Sequence, residues 1–306
     1  MFALDIHNLS KKYANIVAIA DLSLAVERRQ IFGFVGPDGA GKTSLFRILC
    51  GILRPSSGRA WVLGFDTVAE SEKLKQELGY MAQKFALYAD LTVRENLDFF
   101  ADLYNTPLKG LTGRKLELLK FAGLHKFQDR LAGNLSGGMK QKLALCCTLI
   151  HTPQILILDE PTTGVDPVSR QEFWNMLLPL PGQGSTIIVS TAYMDEAAKC
   201  ERLALMDQGR VLKIGTPPEL KTPLLGKIFE VRGRRLNEVK AGLTGSGWLK
   251  EVLVFGDRLH VQLREDISSV VGQDRLTETL RQAGFEVEIG PVEPSLEDVF
   301  VDLMRW

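Results

Sequence analysis

Short apolar runs of strand length punctuate the first two-thirds of the chain. Ile31–Val35 leads into a glycine-rich turn, Ile155–Leu158 runs up to two acids, and Thr186–Ser190 is β-branched. Such runs between polar stretches predict buried strands, and their alternation with helical stretches predicts a parallel α/β sheet. Between Leu91 and Leu131 the apolar spacing changes to threes and fours, as in Leu97, Phe100 and Leu103 and then Leu116 and Leu119. That spacing predicts a helical insertion between sheet elements.

The texture changes near residue 217, where Pro217, Pro218, Pro223 and Gly226 cluster. Prolines and a glycine so close together predict a domain boundary. Beyond it the pattern predicts strand (Lys227–Val231), helix (Leu236–Leu243), strand (Trp248–Phe255), a Gly256-Asp257 turn, strand (Arg258–Leu263), helix (Gln273–Ala283) and strand (Phe285–Ile289). This βαββαβ order is the split-βαβ plaque. A last helix, Ser295–Leu303, follows Pro294, with Ser295 as N-cap and Asp298 placed as in a capping box. Nothing here reads as a chemical site. His260, Glu265 and Asp266 lack the clustering of metal ligands, Trp248 and Trp306 read as packing aromatics, and the region reads as a structural cap or dimer brace.

Composition narrows the function classes. The 306 residues carry 37 Lys plus Arg and 37 Asp plus Glu, so no net basic charge favours generic nucleic-acid binding. Hydrophobic residues at 45% indicate a chain that builds a core. Cys50, Cys146, Cys147 and Cys200 form no CxxC pair, which argues against a metal cluster or disulfide framework and fits a reducing compartment. No apolar run approaches the ~20 residues of a spanning helix. The amino-terminal MFALDIHNLSKKY has no hydrophobic signal core. Whatever the chain does at a membrane, it is expected to do as a peripheral subunit.

The strongest chemical signal is Gly36-Pro37-Asp38-Gly39-Ala40-Gly41-Lys42-Thr43, a complete G-x-x-x-x-G-K-[ST] between a strand run and the helical stretch Ser44–Cys50. Glycines let successive N–H groups face phosphate oxygens. Lys42 is expected to reach the β- and γ-phosphates, and the Thr43 hydroxyl to ligate Mg²⁺. Asp159 and Glu160 close the Ile155–Leu158 run, where open α/β sheets place ligands. Asp159 is expected in the Mg²⁺ shell, and Glu160 to orient or deprotonate an attacking water. A second string, Leu135-Ser136-Gly137-Gly138-Met139-Lys140-Gln141, puts an anion-binding turn ahead of a helix, with Ser136 lying 23 residues before Asp159.

These strings, with Gln83 in YMAQK, occur together and in order, and the chain resembles the nucleotide-binding subunit of ATP-binding-cassette (ABC) transporters. The resemblance implies a P-loop NTPase cassette over residues 1–220: a RecA-like core, a helical subdomain at about 88–150 and an antiparallel β subdomain. A small α+β accessory domain at 221–306 follows. It implies ATP and Mg²⁺ as ligands. Tyr13 resembles the aromatic that stacks on adenine, and the phosphate loop with Ser44 holds the phosphates. Gln83 resembles the glutamine that touches Mg²⁺ or the water and signals to the membrane subunit. Ser136, Gly137 and Gly138 resemble the signature that binds the γ-phosphate held by a second cassette, and Gly164-Val165-Asp166 the loop coupling the two sites. VGPDGAGKTS, GYMAQKFALYADLTVRENL and RLAGNLSGGMKQKLAL look like the first cassette of YbhF-type multidrug-exporter ATPases. EPSLEDVF, at Glu293 to Phe300, is similar to the daunorubicin-resistance type of extension. The implied partners are an ABC type-2 permease, a second cassette in a homo- or heterodimer and a membrane fusion protein, with no nucleic acid. The implied place is the cytoplasmic face of the cell membrane.

One position departs from the family pattern. A histidine is expected after the strand that follows Asp159 and Glu160, but the string reads Ser190-Thr191-Ala192-Tyr193-Met194-Asp195-Glu196. Ala192 has no donor for a γ-phosphate. The expectation is an ATP site that binds nucleotide and hydrolyses it slowly, beside a signature that serves a partner. A nucleotide-dependent switch without significant catalysis is the alternative reading. A soluble ABC ATPase acting on nucleic acid is another, but only 94 residues separate Lys42 from Ser136, with no coiled-coil insertion.

Overall fold

The computed structural model describes residues 2–84 and 87–304. Phe85 and Ala86 of the quoted stretch, and Trp306, lie outside them. The chain forms two compact units, Met1–Thr216 and Pro217–Trp306.

The first unit opens with β1 (Leu4–Tyr13), β2 (Ile16–Val26) and β3 (Ile31–Val35), then α1 (Lys42–Leu49). β4 (Ser57–Val62), β5 (Phe65–Asp66), α2 (Ser71–Glu77) and β6 (Leu78–Met81) follow. The predicted helical insertion is α3 (Val93–Leu103), α4 (Leu111–Phe121) and α5 (Gly137–Leu149). Thr92 and Glu95 form a reciprocal capping box that starts α3. The unit closes with β7 (Ile155–Asp159), α6 (Pro167–Leu177), β8 (Thr186–Thr191), α7 (Met194–Ala197), β9 (Arg202–Asp207) and β10 (Arg210–Gly215).

Two sheets result. β2-β1-β4-β5 is antiparallel, and the larger sheet runs β10-β9-β3-β8-β7-β6, parallel except for β10 at its edge. All five residues of β3 and of β7 are buried, as the uninterrupted apolar runs require for strands covered on both faces. β3, β8 and β7 lie side by side, so their carboxyl ends, where the phosphate loop and the two acids begin, come to one place.

The second unit starts at α8 (Pro217–Lys221) and continues as β11 (Ile228–Gly233), α9 (Leu236–Leu243), β12 (Leu249–Phe255) and β13 (Arg258–Leu263). α10 (Ser269–Gln282), β14 (Val287–Pro291) and α11 (Leu296–Leu303) complete it. The sheet order β12-β13-β11-β14, antiparallel throughout, is the split-βαβ arrangement. Several boundaries differ from the sequence reading: α10 begins at Ser269 rather than Gln273, β14 lies two residues further on, β11 runs Ile228–Gly233 rather than Lys227–Val231, and β12 begins at Leu249 rather than Trp248.

Leu259, Val261 and Leu263 of β13 join Val239, Leu243, Leu276 and Leu280 of the two helices in one core, against which Trp248 packs. The alternate residues of β13 meet α11 instead. His260 Nδ1 lies 3.0 Å from Asp298 Oδ1, and Gln262 Nε2 donates to Asp302 Oδ1 at 2.6 Å. His260 thus has Asp298 for a partner, not Glu265 or Asp266. Asp298 also accepts the Ser295 N–H at 2.7 Å, completing the capping box. Burial pushes the Asp298 carboxyl up, but the hydrogen bonds from His260 and Ser295 outweigh it and hold it below the usual carboxylate range. A carboxyl with a depressed folded pKa stabilises the fold above its unfolded value and loses that contribution as pH falls through the folded one. Asp298→Asn is therefore expected to cost about 1–2 kcal/mol at neutral pH. The gap to wild type should begin to close below about pH 4 and vanish as pH falls through the lower folded value, as read by denaturant unfolding across pH.

Candidate functional site

The phosphate loop is bent by its backbone. Gly41 has φ of 99°, and a Cβ there would stand 2.2 Å from the Ala18 carbonyl oxygen, so no other residue fits the turn that starts α1. The Gly36 N–H donates to the Thr191 carbonyl at 3.2 Å and ties the start of the loop to the end of β8. Lys42, 3% exposed, folds back under its own loop. Its Nζ donates to the Gly36 and Pro37 carbonyls at 2.8 and 2.9 Å and pairs with Glu160 Oε1 at 3.0 Å.

The carboxylates are held by strand register. Asp159 of β7 stands opposite Ser190 of β8. The Ser190 hydroxyl donates to Asp159 Oδ1 at 2.8 Å and accepts the Glu160 N–H at 2.9 Å. Glu160 takes φ of 47°, a left-handed conformation uncommon for this residue, as the chain turns sharply out of the strand. Gln83 Nε2 donates to Glu160 Oε2 at 2.9 Å, and the Thr163 hydroxyl donates to the same oxygen at 3.3 Å.

A cation fits beside these residues. The Thr43 hydroxyl donates to Asp159 Oδ1 at 3.3 Å, while the fully buried Asp159 Oδ2 has no partner among the described residues. Burial pushes the Asp159 carboxyl up, against hydrogen bonds from Ser190 and Thr43 that lower it. A buried carboxylate with an unpartnered oxygen next to a hydroxyl is the hard-oxygen donor set that suits Mg²⁺.

A cavity of about 400 Å³ gathers Tyr13, Asp38, Gly39, Gly41, Lys42, Thr43, Ser44, Gln83 and Glu160. Gly36, Pro37 and Ala40 form the loop behind Lys42. Tyr13 is 41% exposed, with Lys11 Nζ 5.1 Å from its ring centroid, and its hydroxyl lies 3.4 Å from Ser44 Oγ. Ser136, Gly137 and Gly138 do not line this cavity. Ser136 caps α5 by accepting the Met139 N–H, and Gly137 faces a separate hollow shared with Gln83 and Lys140. The sequence reading missed Ser190 and Thr163. Ser190 is an ordinary hydroxyl residue in one of its strings and Thr163 stands in none, and only the pairing of β7 with β8 reveals the first.

The sequence pattern of ABC transporter domains matches residues 19–163. The daunorubicin resistance ATP-binding protein DrrA3 of Streptomyces coeruleorubidus is 35% identical over 98% of this chain and 95% of its own length. The chain belongs to the ABC transporter ATP-binding proteins. The probable multidrug ABC transporter ATP-binding protein YbhF of Escherichia coli K12 is 38% identical over 98% of this chain, which spans about half (51%) of YbhF's length. The Nod factor export ATP-binding protein I of Rhizobium etli is 34% identical, with 99% and 93% covered. Among solved ABC cassettes, CbiO1 of Clostridium perfringens aligns at TM-score 0.65 and 29% identity over 72% of this chain and 90% of its own. The dimeric cassette MJ0796, bound to ADP and Pi, aligns at 0.63 and 26% over 70% and 98%. Among the described residues no helix is long and apolar enough to cross a membrane.

Proposed function

We propose that this ABC ATPase energises a type-2 exporter permease for drugs or other small molecules, working with a second cassette and, in the assembled exporter, a membrane fusion protein. Its place is the cytoplasmic face of the membrane. The export role rests on the relatives, whose names describe multidrug, daunorubicin-resistance and Nod factor proteins. The observation that carries the catalytic reading is the convergence of Lys42, Thr43, Gln83 and Glu160 on one cavity that the chain's own Ser136–Gly138 turn does not line. A second cassette supplies that turn, and this chain's turn serves the partner.

In this reading Tyr13 stacks on adenine, and loop amides between Asp38 and Ser44 bind the phosphates. Lys42 exchanges Glu160 for the γ-phosphate, which leaves the Glu160 carboxylate free to accept a proton from water. Gln83 and Thr163 hold that carboxylate. Asp159, Thr43 and Gln83 would hold Mg²⁺, which when bound neutralises phosphate charge. Ala192 contributes no donor, so the chain's own site binds well and turns over slowly.

The test pairs ATP affinity with turnover in the purified chain, alone and with the membrane complex recovered through it. Micromolar binding, turnover below about 1 s⁻¹ alone and stimulation by a co-purified polytopic permease are expected. Brisk turnover of the chain alone would remove the weakened site from the proposal, and absence from solubilised membranes would remove the permease. Stoichiometric ATP binding without turnover in either state would favour the switch reading that Ala192 also allows.

A further inference from the structure

Glu196 of α7 is 1% exposed, yet it is a carboxylate that nothing above uses. Its Oε1 accepts the Thr162 hydroxyl at 2.6 Å and Arg170 Nε at 3.1 Å, and its Oε2 accepts the Thr191 hydroxyl at 2.6 Å. Burying a charge is costly, and this one is matched by a cation and two hydroxyls in low dielectric, a rigid arrangement.

Each of the three partners belongs to a segment that borders the ATP cavity or the signature turn. Thr162 lies two residues past Glu160. Thr191 ends β8, and its carbonyl accepts the Gly36 N–H. Arg170 stands in α6, whose N-cap is Asp166. Arg170 is itself pinned: it pairs with Asp195 at 2.8 Å and lies over the Tyr193 ring at 4.1 Å. α6 in turn backs the signature turn, because a Cβ on Gly138 would stand 2.3 Å from Ser169 Oγ, and Lys142 of α5 pairs with Glu172 at 2.8 Å.

We infer that Glu196 is a positioning residue of the ATPase reaction, one buried charge that sets the 161–166 loop, the strand end before Ala192 and, through α6, the signature turn in one arrangement. Nucleotide binding does not depend on it, because Glu196 lines no part of the ATP cavity. The inference rests on Glu160 being the group that activates water. A small displacement of the loop that carries Glu160 then costs rate rather than affinity.

The experiment is single-turnover hydrolysis with protein in excess over radiolabelled ATP, beside binding of a fluorescent ATP analogue and thermal unfolding. Glu196→Ala is expected to lower the rate about 10- to 100-fold with analogue affinity within about threefold of wild type. Thr162→Val, which cuts only the loop arm and keeps the side-chain shape, is expected to lower it about tenfold without a change in Tm. Rates within about twofold of wild type in both variants overturn the inference. So does a loss confined to Glu196→Ala that is matched by equal losses of affinity and Tm, which marks a merely structural role. Glu160→Gln separates the two ideas. If it abolishes hydrolysis while Glu196→Ala and Thr162→Val are silent, the positioning role alone fails. If Glu160→Gln leaves hydrolysis intact, or wild type shows none, the reading of Glu160 fails and the inference with it.

Discussion

Glu160→Gln is expected to lower hydrolysis about a thousandfold while leaving ATP affinity within a few-fold of wild type. Removal of a general base typically costs 10²- to 10⁴-fold, or about 3–5 kcal/mol of barrier. The amide keeps the size of the carboxylate, and its oxygen can still accept from Gln83 and Thr163, which lie 2.9 and 3.3 Å from Glu160 Oε2. What it loses is the ability to take a proton. Binding is expected to be spared, because in the proposed reading the phosphates meet the loop amides and Lys42, not Glu160. Lys42 loses its ion pair at 3.0 Å but keeps the Gly36 and Pro37 carbonyls. The protein should therefore fold, with a modest loss of Tm that saturating ATP restores. Pulse-labelled ATP with phosphate release counted over one turnover measures the rate, and equilibrium titration measures the affinity. A rate within tenfold of wild type would move the base elsewhere, and a matching collapse of affinity would make Glu160 part of the phosphate cradle.

The parts of this fold that were legible in the sequence are those whose signals are local. Leu236–Leu243 and Arg258–Leu263 occur where the pattern placed them, since helical spacing and a Gly256-Asp257 turn bound them. α10 was read four residues short because Ser269-Val270-Val271-Gly272 contains two β-branched residues and a glycine, all poor helix formers. Tertiary packing overrides them. A Cβ on Gly272 would stand 2.2 Å from Leu263 Cδ1, so the glycine lets the helix lie close on β13, and Ser268 caps it. The candidate site divides in the same way. The phosphate loop and the Asp159-Glu160 pair are contiguous strings with a physical reason for each residue. Ser190, Thr163, Arg170 and Glu196 carry no string of their own. Their roles come from the β7–β8 register and from α7 folding back on the 161–166 loop, and neither is written in local spacing.

The same strand end makes Ala192 the most informative position for a gain of function. Val35 of β3 pairs with Thr191 of β8, and the Thr191 carbonyl accepts the Gly36 N–H at 3.2 Å. Residue 192 is therefore one step beyond a direct contact with the first residue of the phosphate loop, and it is exposed. A longer side chain at this exposed position is expected to reach the mouth of the cavity, where an N–H donor would meet charge developing on a γ-phosphate. One such donor is typically worth 10²- to 10³-fold in rate, because it acts where water is excluded. Ala192→His is accordingly expected to raise hydrolysis about a hundredfold with little change in ATP affinity. Ala192→Gln, which supplies an amide donor of different reach, should recover part of the gain. Ala192→Phe adds bulk without a donor and should recover none. That order would identify the missing group as a hydrogen-bond donor and this cassette as the slow half of its dimer. Equal gains from histidine and phenylalanine would point to packing of the strand end instead. No gain from histidine, in a protein that still loses all hydrolysis with Glu160→Gln, would mean that Glu160 and Gln83 orient the water unaided and that two identical copies of the chain suffice.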